Sequence, residues 1–169
     1  MEAERLVEIG RRALAESRGA ADIMTEAWQA QALARAIGDR LAATGPAELR
    51  GDARGLGEIG GRDWSAPDSP VLLTGQARAA RLTEVADVSR TLAGLALLLG
   101  EAGMALVGVA CDTGEDTLYW LCIEAIDAAD ESMDRVRGML ARLAEQAQER
   151  ARERARERDG PYGAVRGRG

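Results

Sequence analysis

The sequence contains no histidine, no lysine, no asparagine and no phenylalanine. Without histidine there is no Ser-His-Asp triad, no Cys-His dyad and no histidine-ligated metal. Without lysine there is no Schiff-base chemistry and no Walker A loop, whose phosphate cradle ends in lysine. Any enzyme built from this chain would rely on carboxylates, arginine, cysteine, serine, threonine or tyrosine.

Aromatic residues make up only 3% of the chain. The core must therefore come from Leu, Ala, Val, Ile and Met, side chains that interdigitate between helices. Cys111 and Cys122 are the two cysteines, too few for a disulfide framework and wrongly spaced for a zinc site. The N-terminal stretch is amphipathic and carries Glu2, Glu4 and Glu8, which is not the pattern of a signal peptide. The expected location is cytoplasmic, with reduced thiols. All 22 basic residues are arginine, a skew that reads as codon usage in a GC-rich genome and suggests an actinobacterial source.

The net charge of −6 argues against general nucleic-acid binding. Its distribution is uneven. Residues 111–134 hold eight acids and no arginine, whereas residues 150–169 hold seven arginines against Glu153, Glu157 and Asp159. A nucleic-acid contact through this Arg-rich end is a third, weaker reading.

Along the chain, Leu6, Ala13, Ala20, Ala27, Ala34 and Leu41 recur every seven residues. That period predicts one long helix over residues 3–43, with a kink at Ser17 and Gly19 and an end at Gly45-Pro46. Residues 45–75 are rich in Gly and Pro and read as a crossover. Pro46 could open a short helix there, with Leu49, Ala53 and Leu56 on one side, followed by loop from Trp64 to Pro70.

Residues 77–110 predict a second helix. Its run LAGLALLLGEAGMALVGVA is apolar nearly all round and broken only by Glu101. It should be the most buried segment, or be covered by another subunit. A membrane span is disfavoured, because a central Glu costs about 2.5–3.5 kcal/mol in a bilayer and much of the run is Ala and Gly. Thr113 and Asp116 have the spacing of a capping box, opening a last helix to about residue 158. Its core stripe would be Leu118, Cys122, Ala125, Ala129, Met133, Val136, Leu140 and Leu143. The alternative is a β-hairpin over residues 104–123. Glu and Arg alternate beyond residue 145 at spacings that support an exposed helical arm, and residues 159–169 read as a disordered tail.

Three groups of residues might carry function. Gly55-Leu56-Gly57-Glu58-Ile59-Gly60 fits the letters of a dinucleotide fingerprint, but no strand precedes it and no βαβ unit surrounds it. On the last helix, Glu124, Asp127 and Glu131 point away from the core stripe at about 100° per residue, and Tyr119, Trp120 and Ile123 lie among them. A solvated acidic face is the plain reading. An apolar group on that face suggests a second contact, either the Gly-rich crossover folding over it or an interaction surface for a second subunit or for a protein with a basic rim, anchored by Trp120. The carboxylates could instead hold Mg²⁺ or Mn²⁺, with Glu84-x-x-Asp87 and Glu124-x-x-Asp127 as oxygen ligands. That spacing resembles the all-α NTP pyrophosphatases of the MazG type, which hold Mg²⁺ between helices with ExxE and ExxD carboxylates. The chain departs from them in lacking an EExxE-type helix.

The stretches EAWQAQALARAIG (26–38), ELRGDARGLGE (48–58) and LYWLCIEAIDAADESMDRVRGML (118–140) resemble a family of small actinobacterial helical proteins of the Streptomyces type, a domain of unknown function. The resemblance spans roughly residues 1–145 and leaves out the Arg/Glu arm at 146–158. It implies no activity and assigns no catalytic residue. The expected fold is all-α, an antiparallel helical bundle of three or four long helices. The expected role is a non-enzymatic interaction or regulatory protein that self-associates as a homodimer and needs no cofactor. The alternative is a Mg²⁺- or Mn²⁺-dependent nucleotide hydrolase.

Overall fold

The computed structural model describes residues 1–59 and 77–160. The heptad stripe of the first 43 residues is carried by two helices rather than one, α1 (Ala3–Glu16) and α2 (Ala20–Thr44). Between them Ser17 and Gly19 are extended, with ψ of 133° and 166°. The Ser17 hydroxyl donates to the Ala13 carbonyl at 3.0 Å, a local bond of the kind that competes with helix continuation. The spacing alone could not reveal the break. Ala13 and Ala20, its stripe members on either side, are only half-buried.

Gly45 ends α2 through its N–H bond to the Leu41 carbonyl. Pro46 then leads into a 3-10 turn at Ala47–Leu49 and the short helix α3 (Arg50–Glu58). This is the helix expected after Pro46, and Leu49, Ala53 and Leu56 are all fully buried. It packs tightly on α2. A Cβ on Gly38 would lie 2.8 Å from both the Ala53 carbonyl oxygen and the Gly57 nitrogen. From residue 60 the expected crossover lies outside the described residues, including the loop at 64–70. So does the tail from residue 161.

The helix expected from residue 77 begins later. A 3-10 turn at Arg78–Arg81 is followed by an extended stretch in which Glu84 forms an isolated parallel bridge with Glu2. Asp87 then caps α4 (Val88–Asp112), its carboxylate accepting the Arg90 N–H at 3.0 Å. After a short turn, α5 runs from Asp116 to Asp159. Thr113 does not form the expected capping box with Asp116. Its hydroxyl accepts the Glu115 N–H at 3.1 Å, and Glu115 itself stands at the N-cap. Residues 104–123 are helical apart from this turn, so the β-hairpin alternative is not adopted. Among the described residues there are five α-helices and no strand.

The contacts between helices fix their directions. Val7 meets Gly94, Gly10 meets Leu98 and Arg11 bonds Glu101, so α1 advances alongside α4. Gly100 meets Met133 beyond the turn, so α5 runs back along α4. Met24 meets Cys122 and Gln31 bonds Ser132, so α2 advances with α5. Asp52 of α3 pairs with Arg142 of α5 at 2.9 Å. The enclosed core is aliphatic, with Leu6, Met24, Ile37, Leu41, Leu92, Leu95, Leu106 and Met139 fully buried. Each large side chain contributes about 1.5–3 kcal/mol on burial.

Two expectations about the core shift. The buried residues of α5 are Cys122, Ala125, Ala129, Ser132, Val136 and Met139, while Leu118, Met133, Leu140 and Leu143 are half-buried. The stripe is rotated toward α2 and α3, which also pack on α5. Secondly, α4 is not enclosed. Leu92, Leu95, Leu98, Leu99, Ala102, Leu106 and Val109 are buried, but Leu97, Met104 and Val107 are 54%, 79% and 47% exposed. Helices α1, α2 and α5 cover the rest of α4 and leave this face open. Among the described residues α4 is the one helix long and apolar enough to cross a membrane, with 44% of its most apolar window buried against the protein.

Candidate interaction surface

The first turns of α5 emerge directly from the α4–α5 turn, and among the described residues no helix lies over their outer side. At 100° per residue, Trp120 lies roughly opposite the buried stripe that begins at Cys122. It is 63% exposed. Tyr119, 41% exposed, sets its ring against Trp120 edge-on, with centroids 5.4 Å apart and planes at 80°. This T-shaped arrangement is favourable for aromatic quadrupoles and holds the indole out from the surface. Ile123, one turn further on, is half-buried at the foot of the pair. Glu124, Asp127 and Glu131 are exposed along the same side, with Asp130 and Asp134 beside them. The six residues singled out from the sequence therefore share one end and one side of the molecule. The arrangement is an apolar knob on an acidic field.

The proposed metal pairs are not brought together. Glu84 is not on a helix but in the extended stretch bridged to Glu2, and Asp87 is engaged in capping α4. The register of Gly100 against Met133 places Asp87 and Asp127 on opposite sides of that contact. They are thus separated along the helices by about 28 Å at 1.5 Å per residue. The physical reason is the antiparallel return of α5, which carries Glu124 and Asp127 to the far end of α4. No group of three Asp, Glu or Cys residues among those described is placed to hold a metal ion. Gly55 and Gly57, the fingerprint glycines within the described residues, belong to α3 and not to a strand-to-helix turn.

The sequence left α4 either as the most buried segment or as a helix covered by another subunit, and the structure leaves one face of it open. That face is lined by Leu97, Met104, Val107 and Cys111, all exposed. The signal was present as an apolar run too long for the neighbours available to cover it. The other cysteine, Cys122, is buried, and burial raises its thiol pKa. Its Sγ donates toward the Met24 sulfur at 3.6 Å. The arm of α5 is exposed from residue 147 to 159. Its root lies close to Glu48, whose carboxyl sits below the ordinary range because of its own backbone N–H, the Gln146 side chain and nearby Arg150.

The chain belongs to a family of unknown function (DUF6099), which matches residues 1–142. No curated protein and no solved structure matches it. The matched stretch takes in α1 to α4 and follows α5 just past Met139, the last buried residue of that helix, leaving out the exposed arm.

Proposed function

We propose that this family member is a non-enzymatic helical interaction protein that associates with itself, folded as an antiparallel bundle and working in the cytoplasm. The observation that carries the reading is Trp120, which stands 63% exposed at the start of α5 and braced by Tyr119. An exposed tryptophan is costly in water, and tryptophan is among the residue types most enriched at the centre of interfaces. The acids around it favour a partner surface with a basic rim. The missing histidine and lysine remove most nucleophilic and acid-base chemistry from the alternatives.

Trp120→Arg tests the reading. The side chain faces solvent, so helix content by circular dichroism should not change. Self-association, read by sedimentation equilibrium, should weaken at least tenfold. An unchanged molar mass at every concentration would remove this patch from the interface.

A further inference from the structure

We propose that the outward face of α4 pairs with the same face of a second copy, the two α4 helices running antiparallel and crossing near Met104. The inference rests on the self-association reading and supplies its seam and its occupant.

Ala93, Leu97, Met104, Val107, Gly108 and Cys111 are all exposed, Leu97, Met104 and Cys111 repeat every seven residues along one line of the helix, and Met133 of α5 borders that line at Gly100. Glu101, the single charge between Arg90 and Asp112, turns toward α1, where Arg11 holds it at 3.0 Å. Nothing lies within 4 Å of a Cβ built on Gly103 or Gly108, which leaves room for a second helix at the usual 8–10 Å interaxial distance.

Area and charge choose the occupant. A stable interface takes about 800 Å² from each partner. Leu97, Met104 and Val107 are each about half exposed or more and supply part of that as one apolar strip, rather than as residues scattered singly. A chain of net charge −6 repels its own copies in general, and the uncharged strip is where that repulsion is weakest. A partner chosen by charge would find nothing to read there, whereas the strip is complementary to itself, as a two-fold contact requires.

The charge asymmetry along the molecule chooses the direction. Residues 111–134 carry eight acids and no arginine at one end, whereas at the other end Arg150, Arg152, Arg154, Arg156 and Arg158 alternate with Glu149, Glu153 and Glu157. Parallel copies would set acid beside acid. Antiparallel copies separate the like ends and oppose the helix dipoles. The exposed run from Leu97 to Cys111 has Met104 as its midpoint, so a two-fold contact places Met104 against Met104. The two Cys111 residues then lie about 20 Å apart along the helices at 1.5 Å per residue, too far for a disulfide, which needs Cα atoms within about 7 Å.

The test uses the full chain. Met104→Cys in a Cys111→Ser background should form a disulfide-linked dimer under mild oxidation, while the wild-type chain forms none through Cys111. Met104→Glu should weaken the dimer at least tenfold in sedimentation equilibrium with unchanged circular dichroism. Cross-linking through Cys111 as readily as through position 104 would overturn the antiparallel seam. A dimer that survives Met104→Glu and does not cross-link at 104 would overturn the α4 face and leave self-association standing. A monomer at all concentrations would overturn both readings. A monomer that floats with phosphatidylcholine vesicles, and ceases to after Met104→Glu, would assign the face to lipid instead.

Discussion

Arg11 on α1 holds Glu101 on α4 through two donors, its Nε lying 3.0 Å and 3.2 Å from the carboxylate oxygens and its Nη2 2.5 Å from Oε1. This pair explains how one charge is tolerated in the middle of an otherwise apolar helix. The carboxylate stands at the edge where α1 leans on α4, with both side chains about 40% exposed. The Arg11 hydrogen bond lowers the Glu101 pKa from its ordinary value, against the opposing effect of partial burial.

The pair predicts a pH dependence. A carboxyl whose folded pKa is depressed contributes stability above its unfolded pKa and loses it as pH falls through the folded value. Glu101→Gln should therefore lower the unfolding midpoint at pH 7, by at most about 1 kcal/mol for a half-exposed pair, or roughly 3 °C. The difference from wild type should shrink below about pH 4. A difference that is the same at pH 7 and pH 3 would show that the ion pair is not its source.

Two glycine substitutions should act in opposite directions. Gly38→Ala drives a methyl against backbone atoms of α3 at 2.8 Å and should destabilise by about 1–3 kcal/mol, the usual cost of overpacking. Gly138→Ala on the exposed side of α5 meets nothing within 4 Å and should stabilise by up to about 1 kcal/mol, the helix propensity difference. Chemical denaturation of both variants measures this. Equal effects would contradict the close α2–α3 contact.

The thiols should separate by reactivity. Cys111 is exposed on the single chain and Cys122 is buried with a raised pKa, so at dilutions where the chain is monomeric an aromatic disulfide reagent should modify one thiol per chain quickly and the second only on unfolding. Cys111→Ser should abolish the fast phase. Two fast thiols in the native protein would contradict the burial of Cys122.

Much of the fold was legible because helix periodicity is a local property. The α2 stripe from Ala27 to Leu41, the short helix after Pro46 and the long last helix all follow from spacing and punctuation. What spacing could not show was whether Ser17 and Gly19 bend a helix or end it, or where a helix begins with no glycine or proline to mark it. Ser17 ends α1 by a local hydrogen bond, and Asp87 starts α4 ten residues later than the periodicity of residues 77–110 implied. Levels between helices were not legible either. Glu84 and Asp87 share the ExxD spacing of Glu124 and Asp127, but spacing does not record that the return of α5 carries its pair to the other end. Trp120 and Tyr119 were identified because they fall off the core stripe. Whether α4 is enclosed or open on one side was left undecided, because an apolar run looks the same whether three neighbours cover it or four.

The measurement that tests self-association most directly is sedimentation equilibrium of the full 17.9 kDa chain across a range of micromolar concentrations. The account predicts a weight-average mass above that of the monomer, rising with concentration toward twice its value. A mass that stays at the monomer value throughout would contradict it.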